Sequence, residues 1–316
     1  MNCYICSSLK KQIKPELNTL SNTISIKSIY TDFKAITKAG LAISVVFSSI
    51  AGYLLGFDGE HPFSWIVLIK LAIGGYCMVG ASNAYNQVIE KELDALMDRT
   101  KNRPVPAGRM SPNLALVIAS ILTIIGIALL YTINPKTAMF AAISIFLYTS
   151  IYTPLKTMTS LSVFVGAFPG AIPFMLGWVA ASGNFGIEAG TLFLIQFFWQ
   201  FPHFWAIGWF LFEDYEKAGF FMLPTGKKDK GTALQIILYT VWLIIASLLP
   251  ALGYTGQLFI SPIAAVLVFL LGLWMLFYSA RLYKLRSAKA ARTLMLVSVS
   301  YITLLQLIYI FDKFLR

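Results

Sequence analysis

The chain has 316 residues, of which 58% are hydrophobic and only 12% are charged. Soluble globular domains carry about 25% charged residues, so this composition excludes an ordinary soluble fold. The net charge is +11, but the excess Lys and Arg residues lie in loops beside apolar segments, which argues against nucleic-acid binding.

Residues 1–37 are polar and basic, and they lack the apolar core of a secretory signal peptide. They also contain no arginine, whereas mitochondrial targeting sequences are normally Arg-rich. Cys3 and Cys6 form an isolated C-x-x-C pair, for which a metal or redox role competes with the plainer interpretation of an unstructured tip. We expect a cytoplasmic tail at the membrane surface, followed by one membrane domain over residues 38–316.

Runs of roughly 20 apolar residues are long enough to cross a bilayer as helices. The sequence contains nine candidate runs, separated by segments with Gly, Pro, Asn and Ser. They predict an all-α integral membrane protein, a bundle of nine transmembrane helices. The predicted spans cover residues 38–57, 63–90, 113–132, 137–153, 161–181, 190–211, 233–252, 258–280 and 294–311.

The loop charges predict the orientation of these spans, because Lys and Arg concentrate on the cytoplasmic side of a membrane. Of the 25 Lys and Arg residues, 21 lie in the tail, counted with Lys38 at its border, or in the loops after spans two, four, six and eight. The loops after spans five and seven contain none. We therefore expect the N-terminus in the cytoplasm and the C-terminus outside.

Carboxylates are rare in the chain, yet several of them crowd the end of the second span. Asn86, Glu90 and Asp94 have i, i+4, i+8 spacing, which places them on one face of a helix. Two carboxylates and a carboxamide on one face suit Mg²⁺, which completes its shell with water and phosphate oxygens. The following loop supplies cations for a phosphate group: Arg99, Lys101 and Arg103. The alternative is a solvated helix end with local ion pairs.

Two further polar clusters are predicted at the same membrane face. One lies at the end of the sixth span and contains Glu213, Asp214 and Glu216. The other lies at the end of the fourth span and contains Tyr152, Thr153 and Lys156. Together, the three clusters predict a diphosphate held by Mg²⁺ at the mouth of a membrane cavity, with an apolar tail inside the bundle.

His203 lies within the sixth span, ten residues before Glu213 and therefore about 15 Å deeper. Ionisable residues at such depth indicate function by default. Its neighbours in sequence include Trp199, Gln200 and Trp205. A metal-ligand or planar-ring contact is one interpretation of His203; an interhelical hydrogen bond shared with Gln200 is the other.

Three separated blocks of this sequence resemble the intramembrane aromatic prenyltransferases of the UbiA superfamily. The first block runs from Asn86 to Pro104 and is similar to the first aspartate-rich motif of that family. The second contains Tyr152 to Lys156, and the third contains Trp199 to Trp205. The third block is similar to the branch of the superfamily that farnesylates haem, and the resemblance extends over residues 38–312. Glu90 departs from the usual aspartate but keeps a carboxylate.

The resemblance implies transfer of a farnesyl group from farnesyl diphosphate to a vinyl group of haem b, with addition of water and with Mg²⁺ as cofactor. It also implies a bacterial inner membrane as the location, with the active site facing the cytoplasm, and haem A synthase or terminal oxidase assembly factors as candidate partners. Metal and diphosphate would be held by Asn86, Glu90, Asp94, Glu213 and Asp214. Diphosphate or haem propionates would be contacted by Arg99, Arg103 and Lys156. His203 would lie against the haem or on its iron, beside Gln200, and the cation would be shielded by Tyr152, Trp199 and Trp205.

Three alternatives remain open from the sequence. A relative within the superfamily would prenylate a quinone-ring precursor instead of haem. A secondary transporter would also have many spans with Gly and Pro breaks, but its polar groups would gather near the midplane. A haem-binding assembly factor without catalysis would account for His203 but not for the acidic clusters.

Overall fold

The computed structural model describes residues 26–316 of the chain, with side chains from residue 28 onward. Cys3, Cys6 and most of the predicted N-terminal tail lie outside the described residues. Within the described range every regular element is helical, which confirms the predicted all-α class.

The helices lie close to the predicted spans, and a first helix occupies the end of the predicted tail. Their bounds are α1 Ile26–Ile36, α2 Ala39–Gly56, α3 Trp65–Ile89, α4 Lys91–Leu96, α5 Pro112–Tyr131, α6 Pro135–Leu155, α7 Ser162–Ser182, α8 Ile187–Phe210, α9 Phe212–Lys217, α10 Lys230–Leu252, α11 Pro262–Leu285 and α12 Ala288–Leu315. Helix α6 contains a π-helical segment, Leu147–Tyr152. The last turn of α10 is a 3₁₀ helix.

Within residues 26–316, eight helices are long and apolar enough to cross a membrane, and the prediction of nine is therefore approximate. The predicted sixth span, α8, is 24 residues long but is not among the eight. Gln196, Gln200 and His203 make it less apolar than its neighbours. Helix α8 packs against α7, α10 and α12, so apolar helices surround it on several sides.

Six helices line one internal cavity: α2, α3, α6, α7, α8 and α12. Helix α5 packs outside this group against α3 and α6, while α10 and α11 pack against α8 and α12. Helices α3, α6, α8 and α11 all end on the side of the bundle that carries the Lys- and Arg-containing loops. We call this side the basic end, and it is the side predicted to face the cytoplasm.

Helices α2 and α7 cross at backbone contact because both have glycine at the crossing. A Cβ atom added at Gly177 would lie 1.9 Å from the Ser49 carbonyl oxygen, and one at Gly52 would lie 2.0 Å from the Phe174 carbonyl oxygen. Small residues permit such close approach between membrane helices. This crossing fixes α2 against α7 and thereby sets the width of the cavity that both helices line.

We expect Gly177→Ala to destabilise the bundle, because the methyl group would have to push the α2 backbone away. Overpacking of a core costs about 1–3 kcal/mol, so the apparent Tm in detergent should fall by several degrees. Gly190→Ala in α8 is the matched control, since an added Cβ there meets nothing within 4 Å among the described residues. Equal melting temperatures for the two variants would contradict the proposed role of the crossing.

Candidate active site

The internal cavity has a volume of about 940 Å³, which is at the upper end of the range for small-molecule sites. It extends from the loops at the basic end to Gln196 and Gln306 in the interior of the bundle. Its wall is mostly apolar, with charged side chains at the basic end and uncharged polar groups deeper. A molecule with an anionic head and an apolar body therefore matches the distribution of polarity in the cavity.

The junction of α3 and α4 supplies the first group of polar residues. Glu90 lies between the two helices with ψ of 15°, but the i to i+4 hydrogen bonds continue: Glu90 N donates to Asn86 O at 2.9 Å, and Asp94 N donates to Glu90 O at 2.7 Å. All three side chains line the cavity and are at most 3% exposed. Glu92, by contrast, has a side chain that is 86% exposed. The predicted shared face is present.

Each of these two carboxylates has a cationic partner from another part of the chain. Lys156 Nζ lies 2.7 Å from Glu90 Oε1, and Arg103 Nη1 lies 2.6 Å from Asp94 Oδ2. Burial acts to lower the pKa of the Lys156 ammonium, but the Glu90 carboxylate raises it, and the net shift is upward. Buried ions of this kind are stable only when they are paired. The Lys156–Glu90 pair joins segments that are 66 residues apart, and the Arg103–Asp94 pair holds the loop after α4 against that helix.

The π-helical segment of α6 directs aromatic rings and Lys156 into the same space. π-Helical turns are rare and often occur at functional sites. Tyr148 and Tyr152 both line the cavity, and the Lys156 Nζ lies 4.7 Å from the centroid of the Tyr152 ring. Gly166 of α7 makes room for that ring, because a Cβ there would approach Tyr152 Cδ2 to 2.6 Å.

Lys38, which the sequence analysis assigned only to the border of the tail, also lines the cavity. It lies between α1 and α2 with φ of 47°, a left-handed conformation that is uncommon outside glycine. Burial lowers the pKa of its ammonium to about 7, with Arg103 and Lys156 adding to the shift. In the sequence, the position of Lys38 next to the first span was the feature that could have indicated its place in the cavity wall.

The charged groups that line the cavity do not balance. The cations are Lys38, Arg99, Arg103 and Lys156, and the anions are Glu90 and Asp94. Glu90 and Asp94 balance Lys156 and Arg103, so Arg99 leaves one positive charge uncompensated. Lys38, with a pKa of about 7, adds a second when it is protonated. In a partly desolvated site such an excess attracts anions.

Glu213 and Asp214 do not lie where the sequence analysis expected them. Neither contributes to the cavity wall in the described structure. The Glu213 side chain is 67% exposed and pairs with Lys228, whereas Asp214 accepts hydrogen bonds from the backbone N–H groups of Asp98 and Arg99 at 3.0 and 3.2 Å. The physical reason is helical spacing, because the cavity-lining row of α8 continues from Ile207 through Leu211 to Tyr215. Glu213 and Asp214 precede Tyr215 by two residues and one residue, so they lie off that face. Asp214 thus holds the loop that carries Arg99.

Within residues 26–316, no three His, Cys, Asp or Glu side chains converge as a metal cluster. One observation nevertheless fits a cation at the first group: Asp94 Oδ1 is buried and has no hydrogen-bond partner among the described residues. Asn86 and Glu90 supply further oxygen atoms at the same wall. This oxygen-only set suits Mg²⁺ that arrives with phosphate oxygens as its remaining ligands.

The deeper wall of the cavity contains three of the four predicted residues of α8. Trp199, Gln200 and His203 line it, and the Trp199 and His203 rings stack with centroids 4.5 Å apart. Trp205 does not line the cavity in the described structure; it packs against Phe201 and Tyr239 on the opposite face. Two residues beyond His203 mean a rotation of about 200°, so the prediction for Trp205 fails on helical geometry.

Comparison with known proteins shows which family the chain resembles. The UbiA prenyltransferase family matches residues 45–304 of the chain. A protein of Flavobacterium johnsoniae named protoheme IX farnesyltransferase is 82% identical over 300 residues, covering 95% of this chain and 100% of that protein.

Two solved structures share the fold at low sequence identity. The structure of a digeranylgeranylglyceryl phosphate synthase has a TM-score of 0.73 at 18% identity and covers 90% of this chain and 98% of its own. A UbiA homologue from Archaeoglobus fulgidus bound to GPP and Mg²⁺ has a TM-score of 0.63 at 12% identity and covers 88% of this chain and 99% of its own. The chain belongs to the UbiA prenyltransferase family, among the protoheme IX farnesyltransferases.

Proposed function

We propose that the protein transfers the farnesyl group of farnesyl diphosphate to a vinyl group of haem b and adds water, giving haem O and diphosphate. The observation that carries this proposal is the cavity itself, in which an excess of positive charge at one end adjoins a large apolar interior. Its relatives in sequence bear the name of this reaction. We further propose that the basic end faces the cytoplasm of a bacterial inner membrane.

The diphosphate would bind among the four cations at the basic end. Lys156 and Arg103 are held by their carboxylate partners, and the uncompensated charge is available for the anion. As the bond from carbon to diphosphate breaks, negative charge increases on the leaving oxygens. Fixed cations in a desolvated site stabilise that charge without having to reorganise.

Mg²⁺ would be held by oxygen atoms of Asn86, Glu90 and Asp94, and it would neutralise phosphate charge when bound. A bound homologue is consistent with this, since the Archaeoglobus fulgidus structure contains GPP with Mg²⁺. Metal binding by Glu213 and Asp214 stays a prediction. It requires Glu213 to leave Lys228 and Asp214 to leave the backbone of the preceding loop.

Aromatic side chains next to the cations would surround the reacting carbon. Tyr148 and Tyr152 lie on the same wall as Lys156, and Phe220 lies on the other side of its Nζ, 5.5 Å from the ring centroid. The face of an aromatic ring attracts positive charge and does not react as a nucleophile as readily as water does. An allylic cation could thus persist there until the haem vinyl group attacks it.

The cavity also distinguishes this proposal from the two other classes of protein. A transporter would place its charged groups near the midplane, but here the carboxylates and cations lie at one end. A haem-binding assembly factor would have no use for two buried carboxylates with cationic partners. A prenyltransferase acting on a quinone-ring precursor would share the same charged end, and only the acceptor distinguishes it.

The purified protein in lipid nanodiscs, supplied with haem b, farnesyl diphosphate and Mg²⁺, should form a haem that is heavier by one farnesyl group and one water. Chelation of Mg²⁺ with EDTA should stop the reaction, since the phosphate charge would then lack its neutralising cation. Mass spectrometry of the extracted haem measures both results. Prenylation of a 4-hydroxybenzoate acceptor with unchanged haem would refute the proposed acceptor.

Asp94→Asn should lower kcat by roughly 100-fold or more, because it removes a charged oxygen ligand of the Mg²⁺ that would neutralise the leaving diphosphate. Glu92→Gln is the matched control on the same short helix, and its exposed side chain should leave turnover within about twofold. Turnover in nanodiscs and size-exclusion profiles are measured for both variants. Full activity of a folded Asp94→Asn protein would remove Asp94 from the site.

Lys38→Met should raise the KM for farnesyl diphosphate by about tenfold, because a charge-assisted contact is worth roughly 1.5–3 kcal/mol. The exposed Lys34→Met in α1 serves as the control for loss of a lysine near the same end. Initial rates over a range of farnesyl diphosphate concentrations separate KM from kcat. A KM that is equal in both variants would show that Lys38 does not contact the anion.

A further inference from the structure

The tautomer of His203 follows from its hydrogen-bond partners. His203 Nδ1 lies 2.8 Å from Ser298 Oγ, and Ser298 Oγ donates its own hydrogen to the carbonyl oxygen of Met295 at 2.7 Å. A hydroxyl group has one hydrogen to donate. Because the Met295 carbonyl oxygen can only accept, we assign the Ser298 hydrogen to it. In this assignment His203 Nδ1 carries the proton of the neutral ring and donates it to Ser298 Oγ. The lone pair of the ring is then on Nε2, which has no hydrogen-bond partner among the described residues.

The orientation of the ring is fixed as well as its tautomer. The His203 ring stacks on Trp199 with an interplanar angle of 17°. Trp199 Nε1 donates to the Ser298 carbonyl oxygen at 2.6 Å, so both rings are attached to the same residue of α12. A base that is held in this way needs no rearrangement before it accepts a proton.

The depth of His203 can be compared with that of the charged groups through α7, which runs antiparallel to α8. Gly166 touches Tyr152, beside Lys156, and Gly170 touches Gln200, one turn farther from the basic end. His203 is three residues nearer to the basic end than Gln200, a rise of about 4.5 Å. It therefore lies at nearly the depth of Tyr152. A carbon atom attached to a diphosphate at the cations would lie at this depth.

Buried uncharged polar side chains lie deeper in the same cavity, next to His203. Gln200 is three residues away on the same face of α8 and donates to the Gly170 carbonyl oxygen at 3.0 Å, which leaves its own carbonyl oxygen for another donor. Gln306 Nε2 donates to Ser48 Oγ at 3.0 Å and to Gln196 Oε1 at 3.5 Å. A buried water molecule needs two to four polar partners. Gln196 is about 10 Å deeper than His203, so Gln200 is the member of this group that can contact a water molecule at His203 Nε2.

We infer that His203 Nε2 is the base that accepts a proton from the water added during the reaction, an inference that rests on the proposed function. The bond from C1 of the farnesyl group to the diphosphate oxygen breaks, its electron pair leaves with the diphosphate, and the vinyl π electrons then form a bond to C1 of the allylic cation. This leaves a positive charge on the vinyl carbon next to the porphyrin. The water oxygen forms a bond to that carbon, one O–H bond of the water breaks, and its proton goes to His203 Nε2.

The lone pair of His203 Nε2 could also bind the haem iron, but the neighbouring polar side chain favours a bound water molecule. Gln200 lies one turn from His203 on the same face of α8, and its side-chain carbonyl oxygen can accept a hydrogen bond from a water molecule. A ligand to iron would have no need of this acceptor. The base also lies at the depth of the reacting carbon, where the proton of the attacking water is released.

Without the base, the intermediate cation should lose a proton from the neighbouring carbon instead and form an alkene. His203→Gln and His203→Ala should therefore produce a farnesylated haem that is lighter by one water, with the ratio of alkene to alcohol raised at least tenfold. Added imidazole should restore the alcohol in His203→Ala. In water enriched in ¹⁸O, the wild-type alcohol should carry the label. Mass spectrometry of the extracted haem gives all of these values.

Ser300→Ala on the exposed side of α12 is the matched control and should keep the wild-type ratio, whereas Ser298→Ala should raise the alkene fraction. An unchanged ratio in folded His203→Gln protein would overturn the inference. Loss of both farnesylated products would also overturn it, since His203 would then act before farnesyl transfer. A histidine-ligated haem spectrum that disappears in His203→Gln would assign the lone pair to iron. Failure of the proposed function is distinct, because wild-type protein would then form neither product.

Discussion

The pairing of two buried carboxylates with two cations is the constraint on which the active site depends. An isolated ion in an apolar bundle costs several kcal/mol, so Glu90 and Asp94 can be buried only because Lys156 and Arg103 reach them. These partners come from the end of α6 and from the loop after α4. The same two pairs therefore close the basic end of the bundle and bring the cations to the cavity. Lys38 and Arg99 then add charge that no carboxylate of the cavity wall balances.

Helix α8 shows how a polar site is accommodated inside a membrane protein. Its polar residues exclude it from the helices that are apolar enough to face lipid, and it packs among α7, α10 and α12 instead. Ser298 supplies hydrogen-bond partners to both Trp199 and His203. The buried Nε1 atoms of Trp205 and Trp209 have no partner among the described residues. The features that lower the hydropathy of α8 are thus the ones that line the cavity.

The sequence predicted the helices to within a few residues, because apolar runs and breakers are local signals. It also predicted the shared face of Asn86, Glu90 and Asp94, since that face needs only helical spacing. Other features depend on tertiary structure. The register of the cavity-lining face, which puts Tyr215 in the wall and Glu213 and Asp214 off it, depends on how α8 packs against its neighbours. The burial of Lys38 depends on how α1 packs, and a count of loop charges does not contain that information.

The cations of the basic end and the base His203 respond oppositely to negative charge in the cavity, and this affects the order of events. The cations stabilise the departing diphosphate, whereas a base that accepts a proton becomes a cation itself. An imidazolium formed about one helical turn from an excess of positive charge would be repelled by it in a medium of low dielectric constant. The diphosphate, while still bound between them, screens that repulsion. Proton transfer to His203 is thus most favourable while the cleaved diphosphate is still bound in the cavity. The diphosphate would then assist the addition of water as well as the transfer of the farnesyl group.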